Sequence, residues 1–311
     1  MNGSNYTIGI TDASPIDNLR LLASCFTPFV SGDMSKRVDP IKVFPHAKSI
    51  FVVCVPCDAT SIYSNLSSLG VGEDYHKRVK DILKTLAAEL EEVHGSFKYK
   101  ILVDSPTLCE RSLAVRAGLG YFGKNGLVIS PEFDSRFNIG VMLTDISFDA
   151  GCNVLNSWRE TNPHANALRA RRSRVSFPPF CVSIPTCQVG QIKACPLDCD
   201  LCIKACPNGA LCEGKPLDAG LCIAYLTQKE NLSENEEKLL HGQLYGCDIC
   251  QNVCPKNVKH KTSFVNPKEI LVLSDSEIRD KFGHTAMNWK TKLLKRNALI
   301  LQIPQQKPPT K

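Results

Sequence analysis

The sequence contains no run of about 18 apolar residues, so no segment is predicted to cross a membrane as a helix. The first residues, MNGSNYTIGITDASP, also lack a basic stretch followed by an apolar one, and a secretory signal is therefore not expected. Cysteine, in contrast, is abundant: the chain of 311 residues has 16. Without a secretory signal, this number indicates metal binding rather than disulfides, and we expect a cytoplasmic location.

Neither charge is in large excess over the whole chain, which has 37 Lys and Arg, 31 Asp and Glu and a net charge of +6. The basic residues are concentrated at the carboxyl end, because residues 256–311 contain 12 Lys and Arg against 4 Asp and Glu. Such a segment is either an ordinary solvated face or a surface that binds phosphates. The charge pattern alone leaves both interpretations open.

Strand and helix patterns alternate along the first 147 residues. Runs rich in Ile and Val predict short buried strands, and apolar residues at helical spacing predict a long helix from Asp74 to Val93. This alternation indicates an α/β domain. The predicted strands are 7–12, 49–55, 98–103, 127–130 and 139–143, and further helices are predicted at 108–118 and 275–301.

Four regions follow from these patterns, and together they predict an α+β fold class. Residues 147–193 are polar and rich in arginine without periodicity, which predicts a long inserted loop with the composition of a disordered segment. The next segment is dense in cysteine, and a basic helical segment closes the chain. The predicted regions are 1–146, an α/β domain; 147–193, the inserted loop; 194–260, a cluster-binding domain; and 261–311, the basic helical segment.

Two cysteine runs carry the chemistry. The first reads CPLDCDLCIKACP from Cys195, and the second reads CDICQNVCP from Cys247, with Cys222 alone between them. Runs that end in C-x2-C-x3-C-P are typical of bacterial two-cluster ferredoxins, in which the cysteine before proline ligates the other cluster. This crossed pattern predicts two [4Fe–4S] clusters. The first cluster is then held by Cys195, Cys199, Cys202 and Cys254, and the second cluster by Cys206, Cys222, Cys247 and Cys250.

Structural zinc is the alternative, because two zinc ions with four thiolates each would also use eight cysteines and C-x2-C pairs. The proline that ends both runs, and a pairing that uses all eight cysteines, favour the clusters. The remaining cysteines are interpreted as buried or incidental thiols. They are Cys25, Cys54, Cys57, Cys109, Cys152, Cys181, Cys187 and Cys212.

Two clusters form an electron relay but do not define what is reduced. The 194 residues before Cys195 exceed what a ferredoxin needs. A site for a bound acceptor or substrate in the α/β domain is the simplest explanation of this extra length.

Several stretches resemble the epoxyqueuosine reductase family, cobalamin-dependent iron–sulfur enzymes of tRNA modification that are related to the reductive dehalogenases. The resemblance covers most of the chain outside 147–193, with its motifs in the family's order. These motifs are RVDPIKVFPHAKSI (37–50), DYHKRVKDIL (74–83), VDSPTLCERSLAVRAGLGYFGKNGLVISPEF (103–133), the eight cluster cysteines, YGCDICQNVCP and KLLKRNALIL.

The resemblance implies that cobalamin binds in the α/β domain and receives electrons from the clusters. The implied reaction removes the epoxide oxygen of epoxyqueuosine in the anticodon loop of tRNA, giving queuosine and water. Asp104, in the VDS stretch, is the implied proton donor, and a cap for a helix beginning near Leu108 is its structural alternative. The implied cofactor contacts are Arg37, Gly123, Lys124, Asn125, Val128 and Ile139.

The resemblance also implies tRNA and an external low-potential electron donor as partners, no membrane, and a monomer. Two other functions remain open. One is a corrinoid iron–sulfur reductase of a small molecule, as in the reductive dehalogenases, and the other is a non-catalytic electron carrier. The basic carboxyl end favours tRNA over a small neutral substrate, and Asp104 favours an enzyme over a carrier.

The sequence departs from the family's pattern in three places. Pro196 stands where the first run usually has a cysteine, so Cys195 is assigned as the displaced ligand, with Cys187 as the alternative. The segment 147–193 has no counterpart in the family. The chain ends soon after KLLKRNALIL, where the family usually continues into helical repeats that hold tRNA. Weaker and strongly salt-dependent tRNA binding is therefore expected.

Overall fold

The computed structural model describes residues 6–16, 33–57, 63–148, 195–258, 260, 262–282 and 290–302. The chain divides into two compact units. The first unit comprises residues 1–56 and 76–197, and the second unit comprises residues 57–75 and 198–311. Among the described residues, no helix is both long and apolar enough to span a membrane.

These units differ in two respects from the predicted regions. Residues 57–75, predicted within the α/β domain, belong to the second unit, and the basic helical segment shares that unit with the cysteine runs. The sequence does not reveal which unit these residues join, because that depends on contacts between residues far apart in the chain. Most of the predicted inserted loop lies outside the described residues, as do Cys25, Cys152, Cys181 and Cys187.

Six strands and four helices form the described part of the first unit. The strands are β1 (Thr7–Asp12), β2 (Ser49–Pro56), β3 (Tyr99–Val103), β4 (Tyr121–Phe122), β5 (Val128–Ile129) and β6 (Phe137–Thr144). The helices are α1 (Met34–Val38), α2 (Pro40–Val43), α3 (Tyr75–His94) and α4 (Glu110–Arg116). All five strand predictions and both helix predictions for this part of the chain are confirmed, with shifts at their ends.

One sheet contains four of the strands in the order β1-β2-β6-β3, and every neighbouring pair is antiparallel. Because β2 and β3 are both antiparallel to β6, they are parallel to each other, and α3 connects them as in a split βαβ unit. The alternation of strands and helices therefore does not produce a parallel sheet here, since β6 lies between β2 and β3. The predicted α+β fold class is confirmed.

Strand β2 is buried on both faces of this sheet. Its residues alternate between two apolar clusters, one that includes side chains of α4 and one that includes side chains of α3. This is why SIFVVCV is continuously apolar instead of alternating with polar residues. Each fully buried aliphatic side chain contributes about 1.5–3 kcal/mol. Ile50, Val52 and Cys54 lie in the first cluster, and Phe51, Val53 and Val55 lie in the second.

Helix α3 packs against the sheet at Gly140 of β6. A Cβ atom at this position would collide with the side chain of Val79 and would lie 3.1 Å from a methyl of Leu83. Only glycine leaves room for so close a contact between helix and strand. The contact fixes the position of α3, whose first turn carries His76.

Short helices and irregular segments form the second unit. Seven helices lie in its described part: α5 (Leu201–Ala205), α6 (Ile223–Leu226), α7 (Glu234–Glu237), α8 (Ile249–Asn252), α9 (Pro267–Val272), α10 (Asp275–Phe282) and α11 (Thr291–Ile300). The described parts of the predicted helix 275–301 are α10 and α11.

The segment that begins at residue 63 is bound into the second unit through Asn65. The Asn65 side-chain amide donates to the Val265 carbonyl at 2.8 Å and accepts from the Val265 N–H at 3.0 Å. The Leu244 N–H donates to the Asn65 carbonyl at 2.8 Å. These bonds satisfy the polar groups of Asn65, whose burial without hydrogen bonds would cost free energy.

Two basic residues of the carboxyl end stabilise the second unit itself. Lys295 forms a salt bridge with Asp275 at 3.1 Å. Arg296 donates to the backbone carbonyls of Lys229 and Glu230. The positive charge of this segment is therefore not all available to phosphates.

Candidate active site and iron–sulfur ligands

Asp104 lies directly after β3 in a left-handed backbone conformation, with φ of 50°. The backbone N–H groups of Asp104 and Ser105 both donate to the Glu110 carboxyl group, at 3.1 and 3.0 Å. A left-handed non-glycine residue costs free energy unless its surroundings hold it. Glu110 therefore fixes the backbone of Asp104, while 69% of the Asp104 side chain remains exposed.

The structure does not use Asp104 as a helix cap. Helix α4 begins at Glu110, its cap position is Cys109, and no side chain bonds to the first turn there. The Asp104 carboxylate instead lies 3.8 Å from Nε2 of His76. A role of Asp104 as a helix cap is therefore excluded. His76 becomes a further residue of the candidate site.

Glu110 and Arg111 are further site residues, which the sequence analysis missed. Burial raises the pKa of Glu110 to about 8, and the nearby Asp104 carboxylate raises it further. Burial lowers the pKa of Arg111, which lies in the electrostatic environment of Cys109 and Arg37. Both residues stand in the CER stretch at the start of α4, where the sequence gives no signal for them. Only the structure distinguishes them, because it places both partly buried near Asp104.

Arg37, predicted to contact a cofactor, lies in α1 against the start of α4. The Cys109 N–H donates to the Arg37 carbonyl at 3.0 Å, and Nη2 of Arg37 lies 3.8 Å from the Cys109 sulfur. Its Nε is buried and has no hydrogen-bond partner among the described residues. A buried donor of this kind is suited to an amide or phosphate oxygen of a bound cofactor.

Gly123, Lys124 and Asn125 form the turn between β4 and β5. The buried Asn125 accepts from the Leu127 N–H at 3.2 Å, and a Cβ at Gly123 would lie 2.7 Å from Oδ1 of Asn125. Nζ of Lys124 donates to the Leu197 carbonyl at 2.8 Å. Gly123 therefore makes room for Asn125 within the turn. The role of these three residues toward a cofactor stays a prediction.

Val128 and Ile139 were predicted to line the cofactor pocket. Val128 is buried in the apolar cluster that also contains Leu113 of α4, and Ile139 packs against the same cluster while partly exposed. Their role toward a cofactor stays a prediction.

Replacing Glu110 by glutamine is expected to remove a pH-dependent loss of stability. Between pH 4.5 and 8 the unfolded carboxyl is ionised while the folded one is protonated, so unfolding releases a proton and rising pH favours it. Below pH 4.5 and above pH 8 this effect is constant. As pH rises from 4.5 to 8, the free energy of unfolding of E110Q should therefore increase relative to that of the unchanged protein. The increase is at most about 1.4 kcal/mol per pH unit.

Denaturant titrations of both proteins at pH 5, 6.5 and 8 measure this difference. A constant difference across the three pH values would show that Glu110 ionises in the folded protein much as it does in water.

The second cluster's four predicted ligands lie near one another in the second unit. The Cys247 thiol interacts electrostatically with Cys222 and Cys206, and the Cys250 thiol interacts with Cys247 and Cys222. Burial raises the pKa of the Cys247 thiol to about 12. Four thiols this close in the fold suit a [4Fe–4S] cluster, which is held by cysteine thiolates.

The two cysteine runs also meet. Helix α5, which carries Cys202, packs against α8, which carries Cys250, and these two thiols interact electrostatically. Cys206 follows α5 and Cys254 follows α8, as a crossed pairing requires. The membership of Cys195, Cys199, Cys202 and Cys254 in the first cluster stays a prediction, and the alternative ligand Cys187 lies outside the described residues.

All eight predicted cluster cysteines lie in the part of the chain that the structure describes, and each is a free thiol. They are therefore available as ligands, either for the predicted clusters or for structural zinc, the alternative that the sequence leaves open.

The sequence family described as a 4Fe-4S double cluster binding domain matches residues 194–257. With this match, residues 194–257 contain a domain for two [4Fe–4S] clusters, and the protein is an iron–sulfur oxidoreductase. A second family, described as Epoxyqueuosine reductase QueG, DUF1730, matches residues 37–105.

Curated relatives extend this likeness over nearly the whole chain. An epoxyqueuosine reductase of Bacillus cereus is 31% identical over 94% of this chain and 75% of its own length. One of Listeria monocytogenes is 31% identical over 94% of this chain and 76% of its own length. The chain belongs to the epoxyqueuosine reductase family, as the sequence motifs predicted.

Solved structures of epoxyqueuosine reductases are similar to this chain in fold. The epoxyqueuosine reductase of Streptococcus thermophilus has a TM-score of 0.70 and 26% identity, covering 94% of this chain and 76% of its own. A crystal structure of an epoxyqueuosine reductase with an epoxyqueuosine-modified tRNA-Tyr stem loop has a TM-score of 0.70 and 28% identity, with the same coverage. An epoxyqueuosine reductase structure from Bacillus subtilis has a TM-score of 0.68 and 27% identity over the same shares, and in it a catalytic loop that contains an aspartate is swung out of the active site.

Proposed function

We propose that this chain reduces epoxyqueuosine to queuosine in the anticodon loop of tRNA. The observation that carries the proposal is its family membership, with 31% identity to the Bacillus cereus epoxyqueuosine reductase over 94% of the chain. A relative of similar fold was solved with an epoxyqueuosine-modified tRNA stem loop, which supports tRNA as the substrate. Removal of the epoxide oxygen as water requires two electrons and two protons.

Cobalamin is the proposed cofactor of the first unit. When bound, it supplies a cobalt centre that accepts electrons from the clusters and reacts with the substrate. Arg37 fits this role, because its buried Nε has no hydrogen-bond partner among the described residues. The further residues proposed to hold the cofactor are Gly123, Lys124, Asn125, Val128 and Ile139.

Asp104 is the proposed proton donor. Its exposed carboxyl group can reach a bound substrate, and its backbone is held by Glu110 through two hydrogen bonds. A proton from Oδ of Asp104 would neutralise the oxygen when the first C–O bond of the epoxide breaks, so no free alkoxide forms. The second proton, which completes water when the other C–O bond breaks, would come from solvent. His76, 3.8 Å away, stabilises the carboxylate that remains when the imidazole is protonated. The Bacillus subtilis relative has a catalytic loop that contains an aspartate, which supports an aspartate in this role.

We also propose that the chain acts as a monomer in a reducing cytoplasm and receives electrons from an external low-potential donor. The free thiols of the described part of the chain are consistent with that compartment. The clusters carry one electron at a time, so two transfers are needed for each epoxide reduced.

The choice of tRNA over a small molecule can be tested with two substrates. The protein, loaded with clusters and cobalamin, is incubated with an epoxyqueuosine-containing stem loop or with the free epoxyqueuosine nucleoside at equal concentration. We expect a higher kcat/KM for the stem loop, with a rate that falls as salt rises because phosphate contacts are screened. Equal kcat/KM values would instead indicate a small-molecule reductase.

A further inference from the structure

The two cysteine runs place an aspartate at the same point of the same local structure. Asp200 follows Cys199 at the cap of α5, with φ −129° and ψ 14°, and Asp248 follows Cys247 at the cap of α8, with φ −114° and ψ 14°. Each aspartate therefore stands between two predicted ligands of one cluster. Only the surroundings of the two side chains differ.

A neighbouring lysine compensates the negative charge of Asp200. Its carboxylate forms a salt bridge at 2.8 Å with Lys204, one turn further along α5, and 37% of the Asp200 side chain is exposed. A neighbouring cation and water both reduce the field that this carboxylate exerts on the first cluster.

The charge of Asp248 is buried among neutral groups, and Asp248 is only 5% exposed. The Ser67 hydroxyl and the Gln251 amide donate to Oδ1 at 2.8 and 2.9 Å, and the Ser68 N–H donates to Oδ2 at 2.8 Å. Three donors to one carboxyl group suit its ionised form. Asn252 occupies the position that Lys204 has in the first run, and no salt bridge reaches Asp248 within the described ranges.

The Asp248 carboxylate lies next to two predicted ligands of the second cluster. It directly follows Cys247, and it occupies the cap position of α8, whose first turn contains Cys250. Its field opposes any added negative charge at the second cluster, because a buried charge is poorly screened. Net charge near a cluster is one of the properties that set its reduction potential.

We propose that Asp248 is a positioning and tuning residue that makes the second cluster the lower-potential member of the pair. The step concerned is the gain of one electron by the oxidised second cluster, with no bond made or broken. This inference rests on the proposed ligand sets and goes beyond the proposed function. A low potential at this cluster suits the delivery of electrons to a cobalt centre.

The test is a redox titration of the cluster-loaded protein with dithionite and mediators, followed by electron paramagnetic resonance. Asp248→Asn removes the charge and retains the shape. We expect it to favour reduction of the second cluster tenfold, which is a rise of about 59 mV in the lower of the two midpoint potentials. Asp200→Asn is the matched control and should change neither midpoint by as much. Unchanged midpoints in D248N, or equal shifts in both variants, would overturn the proposal.

Asn252→Lys provides a second measurement that leaves Asp248 in place. Asn252 is exposed, so lysine can be accommodated, and it introduces the cation that Lys204 provides in the first run. We expect the same midpoint to rise as in D248N. If D248N does not retain about eight irons per chain, N252K decides alone, and an unshifted midpoint would reject the role of Asp248.

This experiment needs neither tRNA nor cobalamin. Its outcome is therefore separate from that of the proposed function: a protein without epoxyqueuosine reductase activity could still show the shift, and an active protein could lack it.

Discussion

Asp104→Asn is expected to lower the rate of epoxyqueuosine reduction by about 100-fold to 10,000-fold, the usual contribution of a general acid. Asparagine has no proton to give to the leaving oxygen, but it has nearly the shape of aspartate. The clusters and cobalamin should remain bound, because Asp104 belongs to neither set of proposed ligands. Single-turnover assays of queuosine formation, with iron and cobalt content measured on the same samples, test this expectation.

The backbone of Asp104 makes asparagine the right replacement. Its φ of 50° lies in the left-handed region, which asparagine and aspartate tolerate better than most residues. Alanine at this position would add backbone strain to the loss of the carboxyl group, and the two effects could not be separated.

The chain also offers a matched control. Asp134 has φ of 57° and lies in the turn before β6, where its carbonyl accepts from the Ser130 N–H at 2.6 Å. Asp134→Asn makes the same chemical change in the same backbone conformation, and it should leave the rate unchanged. Turnover in D104N close to that of D134N would remove Asp104 from its proposed role.

Cys250→Ala is expected to lower the iron content from about eight to about four per chain, because it removes a ligand of the second cluster only. Cys250 interacts electrostatically with the Cys247, Cys222 and Cys202 thiols in the second unit. The electron relay would be interrupted, and turnover with an external reductant should fall by at least tenfold. Iron analysis and electron paramagnetic resonance measure the first effect, and steady-state assays measure the second.

Cys212→Ala is the control for this variant. Cys212 lies in the same unit, is exposed and is assigned to neither cluster. It should retain about eight irons. Equal iron loss in C212A and C250A would indicate damage to the domain rather than loss of a ligand.

The crossed pairing has a test of its own. Cys206→Ala should remove the same cluster as Cys250→Ala, although Cys206 belongs to the first run. The spectra of the reduced variants should therefore match, and that of Cys254→Ala should differ from both. A Cys206→Ala spectrum that matches Cys254→Ala instead would contradict the assignment of ligands.

The sequence was sufficient to predict the elements and the chemistry of the cysteine runs. Strand β2 and helix α3 follow from local apolar patterns, and the spacing of the cysteines is itself a signal of their ligand role. Strand direction could not be predicted in this way. The insertion of β6 between β2 and β3 depends on long-range pairing, which the alternation of elements does not encode.

Burial explains most of what the sequence left out at the candidate site. Glu110 resembles any acidic residue in a first helical turn until the structure shows it holding the backbone of Asp104. Asp200 and Asp248 are indistinguishable in their motifs, and only the fold exposes one and buries the other. Gly123 also has a local role that the sequence does not show, because a Cβ at this position would lie 2.7 Å from Oδ1 of Asn125.

Two iron–sulfur clusters and cobalamin are together proposed to allow this chain to remove the epoxide oxygen. The most direct measurement uses the protein reconstituted with clusters and incubates it with epoxyqueuosine-containing tRNA and a strong reductant, with and without added cobalamin. After digestion to nucleosides, we predict that queuosine forms only in the sample with cobalamin. A protein that holds about eight irons and cobalamin yet forms no queuosine, or that forms it equally without cobalamin, would contradict the account.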